Sequence, residues 1–218
     1  MYFELHTPYG LLTEENGKEM LRFIERNARI SHRSEDRQTD DSYQRFIQDV
    51  VIGHGDWSVV EHASLTAMLR LPRGITHELV RHRLFSYTQE STRFVNYTKH
   101  KTVDIEVITP TDLNPDNKQI WDDAVAASRH TYEILIHRGE KPQTARGILP
   151  IDTAATISMT GNLRSWRWFL LARTTRETHT DMRAWTIPAL AEFKRCVPLI
   201  YDDIEPMARQ IDNARKAH

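Results

Sequence analysis

The chain has 218 residues, with 29 Lys+Arg against 30 Asp+Glu, a formal net charge of -1, and 39% hydrophobic residues. That length suits one compact core, and the balanced charge argues against a protein that coats nucleic acid or an anionic membrane through bulk electrostatics. The single cysteine, Cys196, rules out an internal disulfide framework and fits a reducing compartment. No apolar run approaches a membrane span, and the first residues lack the basic-then-apolar layout of a signal peptide, so a cytoplasmic protein is expected.

Tyr2 to His6 reads as an edge strand. Met20, Leu21, Ile24 and Ala28 follow helical spacing from Glu14 to Ile30, with Thr13 as N-cap. Phe46, Ile47, Val50 and Val51 mark a second amphipathic helix that runs out near Gly53. Ala63, Leu65, Ala67 and Leu69 then alternate with more polar residues, the period of a strand closed by Pro72 and Gly74. A short helix is expected over Ile75 to Arg83, with Leu79 and Val80 inward. Val103, Ile105 and Val107 suggest another strand, ending at Pro110. Gln119 to His137 reads as a long helix, Ala154 to Met159 as a strand and Leu163 to Ala172 as a helix. The last helix, about Asp181 to Tyr201, carries Trp185, Leu190, Phe193 and Val197 on one face, with Pro188 and Pro198 expected to start, kink or break it. No linker, repeat or low-complexity tract interrupts residues 1–218. The expectation is a single helix-rich α+β domain with a small mixed or antiparallel sheet.

Of the basic residues 22 are arginines and seven are lysines, a bias that matters only where arginines cluster. The densest cluster runs from Arg81-His82-Arg83 through Ser86, Tyr87, Thr88, Gln89, Glu90, Ser91 and Thr92 to Arg93. Residue types alone allow two readings: Arg81 paired with Glu78 and Arg83 in solvent, slightly favoured, or a phosphate site built from guanidinium, hydroxyl and main-chain donors. Among eleven histidines, His54, His62, His77 and His82 match no familiar metal-ligand spacing, so no metal is expected. For Trp57, Trp166 and Trp168 core packing is the default over stacking on a bound ring.

Arg81-His82-Arg83, seven residues, then Ser91 resembles the signature of the flavin-dependent thymidylate synthases. Upstream, Gly53-His54 and Ser58-Val59-Val60-Glu61-His62 are similar to that family's Gly-His and Ser-x-x-Glu-His elements. Downstream, Ala145-Arg146-Gly147-Ile148-Leu149-Pro150 resembles Ala-Arg-x-x-Leu-Pro. Asn162-Leu163-Arg164 with Phe169-Leu170-Leu171-Ala172-Arg173 resembles Asn-x-Arg and Phe-Leu-x-x-Arg. The elements stand in family order. Three departures stand out: six residues separate His54 from Glu61, Trp168 replaces a polar residue common in the family, and Thr88-Gln89 replaces Asn-Glu.

The resemblance implies a homotetramer that binds FAD between subunits and methylates dUMP at C5. Methylenetetrahydrofolate would supply the carbon, and NADPH would reduce the flavin. It places FAD contacts on Ser58, His54, Arg81, His82, Arg83, Gln89, Asn162 and Arg164. It places dUMP contacts on Glu78, Arg81, Gln89, Glu90, Ser91, Thr92, Arg93, Arg146 and Arg173. Arg173, Arg146 and Ser91 would carry the chemistry: guanidinium groups that steady charge building on the pyrimidine, and a substrate-binding hydroxyl. Cys196, inside an apolar helix pattern, reads as an inert buried thiol, unlike the nucleophile of the unrelated cysteine-dependent thymidylate synthases. The rivals are a non-catalytic FAD- or nucleotide-binding relative, opposed by the intact Arg146, Ser91 and Arg173, and an RNA-binding module, opposed by the absence of a basic stripe.

Overall fold

Five strands and seven α-helices form among residues 1–98 and 105–209, which the computed structural model describes. Val103 and Asp104, expected at the start of a strand, lie outside those residues. Strand β1 (Tyr2–Thr7) pairs antiparallel with the two-residue β2 (Gly10–Leu11), His6 opposite Leu11 and Thr7 opposite Gly10. Because that short arm covers it, β1 is second in the sheet order β2-β1-β3-β5-β4 rather than at the edge. Helix α1 (Glu14–Arg29) starts at the expected cap. The Thr13 Oγ1 accepts from the Asn16 N–H, and the Asn16 side chain accepts from the Thr13 N–H, so two orphan donors are satisfied reciprocally. Helix α2 (Ser42–Phe46) opens into a π-helical stretch, Ile47–Gly53, and a 3-10 segment Trp57–His62 follows, for which the sequence pattern carried no signal.

Strand β3 (Ser64–Pro72) buries Leu65, Ala67, Leu69 and Leu71, as alternation requires. Helix α3 (Arg73–Leu79) follows it, shorter than expected, and Val80 is exposed just past its end rather than packed inward. Strand β4 (Ser86–Gln89) was hidden by its polar composition. The 105–110 segment contributes only an isolated bridge, Val107 to Thr153. Helix α4 (Lys118–His137) buries Val125 and Tyr132 while Ile120 faces solvent. Then come α5 (Pro142–Ala145), a 3-10 turn Arg146–Ile148, β5 (Ala154–Asn162), α6 (Leu163–Arg173) and α7 (Thr180–Cys196). Pro188 sits inside α7 without breaking it. The carbonyl it deprives of a partner belongs to Ala184, an exposed residue. Along β3 and β5, Thr66 Oγ1 lies 2.8 Å from Thr160 Oγ1, and Arg70 Nη1 donates to Thr156 Oγ1 at 3.2 Å. Numbers rise on one strand as they fall on the other, so the pair is antiparallel. No helix among the described residues is long and apolar enough to cross a membrane.

The chain divides into two compact units. The first comprises Met1–Tyr2, Leu69–Arg81 and Tyr87–Ser158; the second Phe3–Met68, His82–Ser86 and Met159–His218. The first centres on Tyr97, Ile105, Val107, Val125, Tyr132 and Ala145. The second is built on aromatic rings: Phe169 stacks on Trp185 at 5.6 Å, Trp166 meets Phe193 at 5.3 Å, and Phe193 meets Tyr201 edge-on at 4.8 Å. In this unit Gly17 lets α1 approach the end of α7. A Cβ on Gly17 would lie 1.8 Å from the Cys196 carbonyl oxygen, a backbone atom with no room to retreat.

Gly17→Ala should therefore destabilise the protein by about 1–3 kcal/mol, the usual range for overpacking. Thermal or denaturant unfolding measures this; an unchanged midpoint would show that the two helices can separate freely.

Candidate active site

In the first unit, β4 delivers the Gln89–Arg93 stretch alongside β5. The Glu90 N–H donates to the Thr156 carbonyl at 2.8 Å. The Glu90 carboxylate, only 17% exposed, turns away from solvent. It accepts from the Tyr97 hydroxyl at 3.0 Å and the Thr156 N–H at 3.2 Å, and pairs with Arg70 at 3.6 Å. Arg70 in turn binds Glu106 at 2.7 Å. Burial, reinforced by the Glu90 charge, pushes the Tyr97 hydroxyl well above its usual range, so it stays a proton donor. Gln89 Nε2 donates to Thr76 Oγ1 at 2.8 Å, and Tyr87 donates its hydroxyl to the Leu79 carbonyl at 2.6 Å, tying the strand to α3.

The loop beyond is held locally. Ser91 Oγ accepts from the Arg93 N–H at 3.3 Å, and the exposed Arg93 reaches Gln143 Oε1 at 3.2 Å. Thr92, buried, accepts from Arg146 Nη1 at 3.1 Å. Arg146 and Thr92 share a cavity of about 280 Å³ with Arg73, His77, Leu149 and Ile151.

In the second unit the His82–Ser86 segment is fixed through Phe85. Its ring packs edge-on against Trp166 at 4.9 Å and Phe169 at 6.0 Å, over Gly161, where a Cβ would come within 2.4 Å of it. Asn162 ends β5 and caps α6, accepting the Ser165 N–H at 2.8 Å. Helix α6 then presents Arg164, Trp168 and Leu171 along one stripe. They line a cavity of about 390 Å³ with Trp57, Glu61 and Leu84. Arg164 is bound to Glu61 at 2.6 Å. Trp57 lies under the guanidinium of Arg167, 4.5 Å from its ring centre. Arg167 is 5% exposed and binds Asp203 through two 2.7 Å contacts and the Ile200 carbonyl at 2.6 Å, so its charge is met on every side shown. The walls offer indole and aliphatic surfaces beside an amide and a guanidinium.

At the end of α6, Arg173 Nε donates to His82 Nε2 at 2.9 Å. With Nε2 accepting, the proton of neutral His82 sits on Nδ1. Burial, and then the Arg173 charge, lowers the His82 pKa from 6.5 to about 4, so the ring is neutral at physiological pH. Cys196 is buried and its thiol is pushed up by burial, in keeping with an inert side chain. Among the described residues no group of three or more His, Cys, Asp or Glu is placed to hold a metal.

The structure brings together Thr92 and Arg146 in one unit, and Asn162 with Arg164, and His82 with Arg173, in the other. Ser58, His54, Arg81 and Arg83 are exposed and line neither cavity, and the Glu78 side chain is partly buried on α3. Ser91, Gln89 and Glu90 face their own scaffold as described. Core packing, the default for the tryptophans, holds for Trp166 alone. Trp168 is 52% exposed, on the face of α6 turned from the core, and Trp57 is half-buried on the 3-10 segment; both line the cavity. Glu61 was legible as part of a motif but without a role, and His77 was weighed only as a metal ligand; Arg73, Arg167 and Tyr97 carried no signal in the linear pattern.

Residues 11–199 match the family described as thymidylate synthase complementing protein. Proteins named flavin-dependent thymidylate synthase align over much of the chain. The one from Corynebacterium aurimucosum is 31% identical, over 91% of this chain and 86% of its own. Those from Corynebacterium efficiens and Mycobacterium avium are 33% and 35% identical, each over 77% of this chain and 70% of their own. Among solved structures, the UMP/dUMP methylase PolB from Streptomyces cacaoi, bound with 5-Br dUMP, shares the fold. Its TM-score is 0.66 at 21% identity, over 85% of this chain and 88% of that one.

The lowered pKa of His82 has a consequence for stability. Between its ordinary value of 6.5 and about 4, the unfolded chain takes up a proton that the folded chain refuses. The contribution of neutral His82 is therefore complete above pH 6.5 and drains away as pH falls toward 4. Imidazole resonances should show His82 still neutral at pH 5.5, and His82→Gln should flatten the acid side of the stability profile. A His82 resonance titrating near 6.5 would contradict the burial and Arg173 contact described.

Proposed function

The chain belongs to the thymidylate synthase complementing protein family, the flavin-dependent thymidylate synthases, and from that premise we propose how its residues serve the methylation of dUMP to dTMP. The observation that carries the reading is the Arg173–His82 contact. It joins two signature segments 91 residues apart in sequence, at 2.9 Å, around a histidine kept neutral.

Arg173 is the group that steadies negative charge on the pyrimidine. Activation of C5 spreads charge over N3, C4 and O4, and a guanidinium stabilises it without risk of losing its own proton. His82 accepts from Nε and so sets the plane in which the rest of the fork is presented. Arg146, held by the buried Thr92, binds the substrate as a fixed cation. Ser91 acts as a binding hydroxyl on a loop that Glu90 anchors, rather than as a nucleophile, since no His–Asp relay addresses it. Glu78, Arg81, Gln89 and Arg93 complete the nucleotide contacts, Arg81 and Gln89 also facing the flavin.

FAD is held by Asn162 and Arg164 with the Trp57 and Trp168 walls, and by Ser58, His54, His82 and Arg83 where subunits of a homotetramer meet. When bound, the flavin supplies the hydride that completes the methyl group. Methylenetetrahydrofolate is the carbon donor and NADPH the reductant. The whole of residues 1–218 acts as one functional domain in the cytoplasm. The exposure of Ser58, His54, Arg81 and Arg83 supports a site completed by other subunits.

Tritium release from 5-tritiated dUMP tests the reaction, with protein, FAD, NADPH and methylenetetrahydrofolate each omitted in turn. Release should require all of them and accompany dTMP. Arg173→Ala should lower it by about 100-fold or more, the scale for removing a charge-stabilising donor, with unfolding unchanged. Retained turnover would remove Arg173 from its role. A variant made monomeric should lose activity; a fully active monomer would contradict the shared site.

A further inference from the structure

The loop after β4 closes on itself through a residue to which neither motif nor resemblance assigned a role. Glu90 and Tyr97 bracket it, and the Tyr97 hydroxyl donates to Glu90 Oε1 at 3.0 Å. Between them the chain turns back: the Phe94 and Val95 N–H groups donate to the Ser91 carbonyl at 3.2 and 2.9 Å. Glu90 is fixed to β5 by main chain and side chain alike. Its N–H donates to the Thr156 carbonyl at 2.8 Å, and its Oε2 accepts from the Thr156 N–H at 3.2 Å. Arg70 adds a cation 3.6 Å from Oε2 and is itself held by Glu106 at 2.7 Å. At the other end Tyr97 is buried, its ring edge-on to Tyr132 with centroids 6.0 Å apart, inside the core of the first unit. Tyr97 thus ties the loop to the core by its ring, and to β5 through its hydroxyl and Glu90.

The enclosed residues include Ser91 and Arg93, proposed nucleotide contacts, and Thr92, which accepts from Arg146 Nη1 at 3.1 Å. We propose that Tyr97 is a positioning residue for substrate binding: by holding the Glu90 carboxylate it closes the 90–97 loop, so that Ser91, Thr92 and Arg93 stand in place before the nucleotide arrives. The inference rests on the reading of dUMP as substrate and adds a residue that does not touch it. A loop already ordered spares the ligand the entropy of ordering it, so the clasp acts on affinity rather than on the chemical step.

The variant Tyr97→Phe keeps the ring against Tyr132 and removes only the hydroxyl. In the flavin-loaded full-length protein it should raise the KM for dUMP about tenfold, the scale of one charge-assisted hydrogen bond. Its kcat should stay within about twofold, the pattern of lost binding, and FAD affinity should not change. Equilibrium binding of dUMP to Tyr97→Phe, Glu90→Leu and the double variant tests the route. Both substitutions cut the same bond, so the double variant should bind no worse than Glu90→Leu alone. Losses that multiply would show that Tyr97 does not act through Glu90. Unmoved dUMP affinity in Tyr97→Phe, or an equal loss for FAD, would overturn the proposal. Tyr97→Phe decides even if Glu90→Leu, which also strands the Thr156 N–H, fails to fold. If the unmodified protein does not bind dUMP, the substrate reading fails, and this inference with it.

Discussion

The mutual register of β3 and β5 decides which side chains of these two strands are buried. Thr66 against Thr160, and Arg70 against Thr156, hold β3 and β5 in a single antiparallel alignment. A slip of one residue would turn the buried rows of Leu65, Ala67 and Leu69, and of Ile157 and Met159, out to solvent. Helix α3, with Arg73 and His77, begins where β3 ends. Helix α6, with Arg164, Trp168 and Arg173, begins where β5 ends, on the Asn162 cap. A helix whose start and axis are given has its side-chain positions given as well.

Around that frame the protein handles withdrawn charge in three ways. Arg167 is met by a carboxylate, a carbonyl and an indole face, so the second unit keeps a fully compensated cation against its candidate cofactor cavity. Glu90 is met by a phenol, an amide and a more distant guanidinium, which makes the first residue after β4 an anchor for the loop that follows. His82 is left without a charge at all: its site lowers the pKa, and the lone pair so preserved receives Arg173. Each solution supplies rigidity next to a residue of the candidate site, which is what electrostatic stabilisation needs, since the donors must be in place before charge develops.

The two candidate cavities differ in chemistry. One combines tryptophan and leucine surfaces with two guanidiniums already paired, Arg164 with Glu61 and Arg167 with Asp203. The other gathers two arginines, an imidazole and a buried hydroxyl. Trp168 and Leu84 leave large apolar areas exposed on the first, which a bound ring would cover.

Much of this was legible in the linear pattern, because local rules govern it. Period-two alternation located β3 and the start of β5, helical spacing located α1, α4, α6 and α7, and Thr13 marked the α1 boundary through chemistry confined to four residues. The spaced motifs identified the family and named Arg146, Arg173 and His82. What the linear order does not contain is which side chains meet. The neutrality of His82 depends on burial and on a partner 91 positions away. The inward turn of Glu90 depends on Tyr97 and Thr156, the exposure of Trp168 on which face of α6 the core accepts, and the tolerance of Pro188 on Ala184 lying at the surface. Sequence determined most of the longer elements, the family and the chemical types at the site; tertiary structure decided protonation, pairing and which residues share a cavity. Those properties arise from desolvation and distance, and both exist only once the chain has folded.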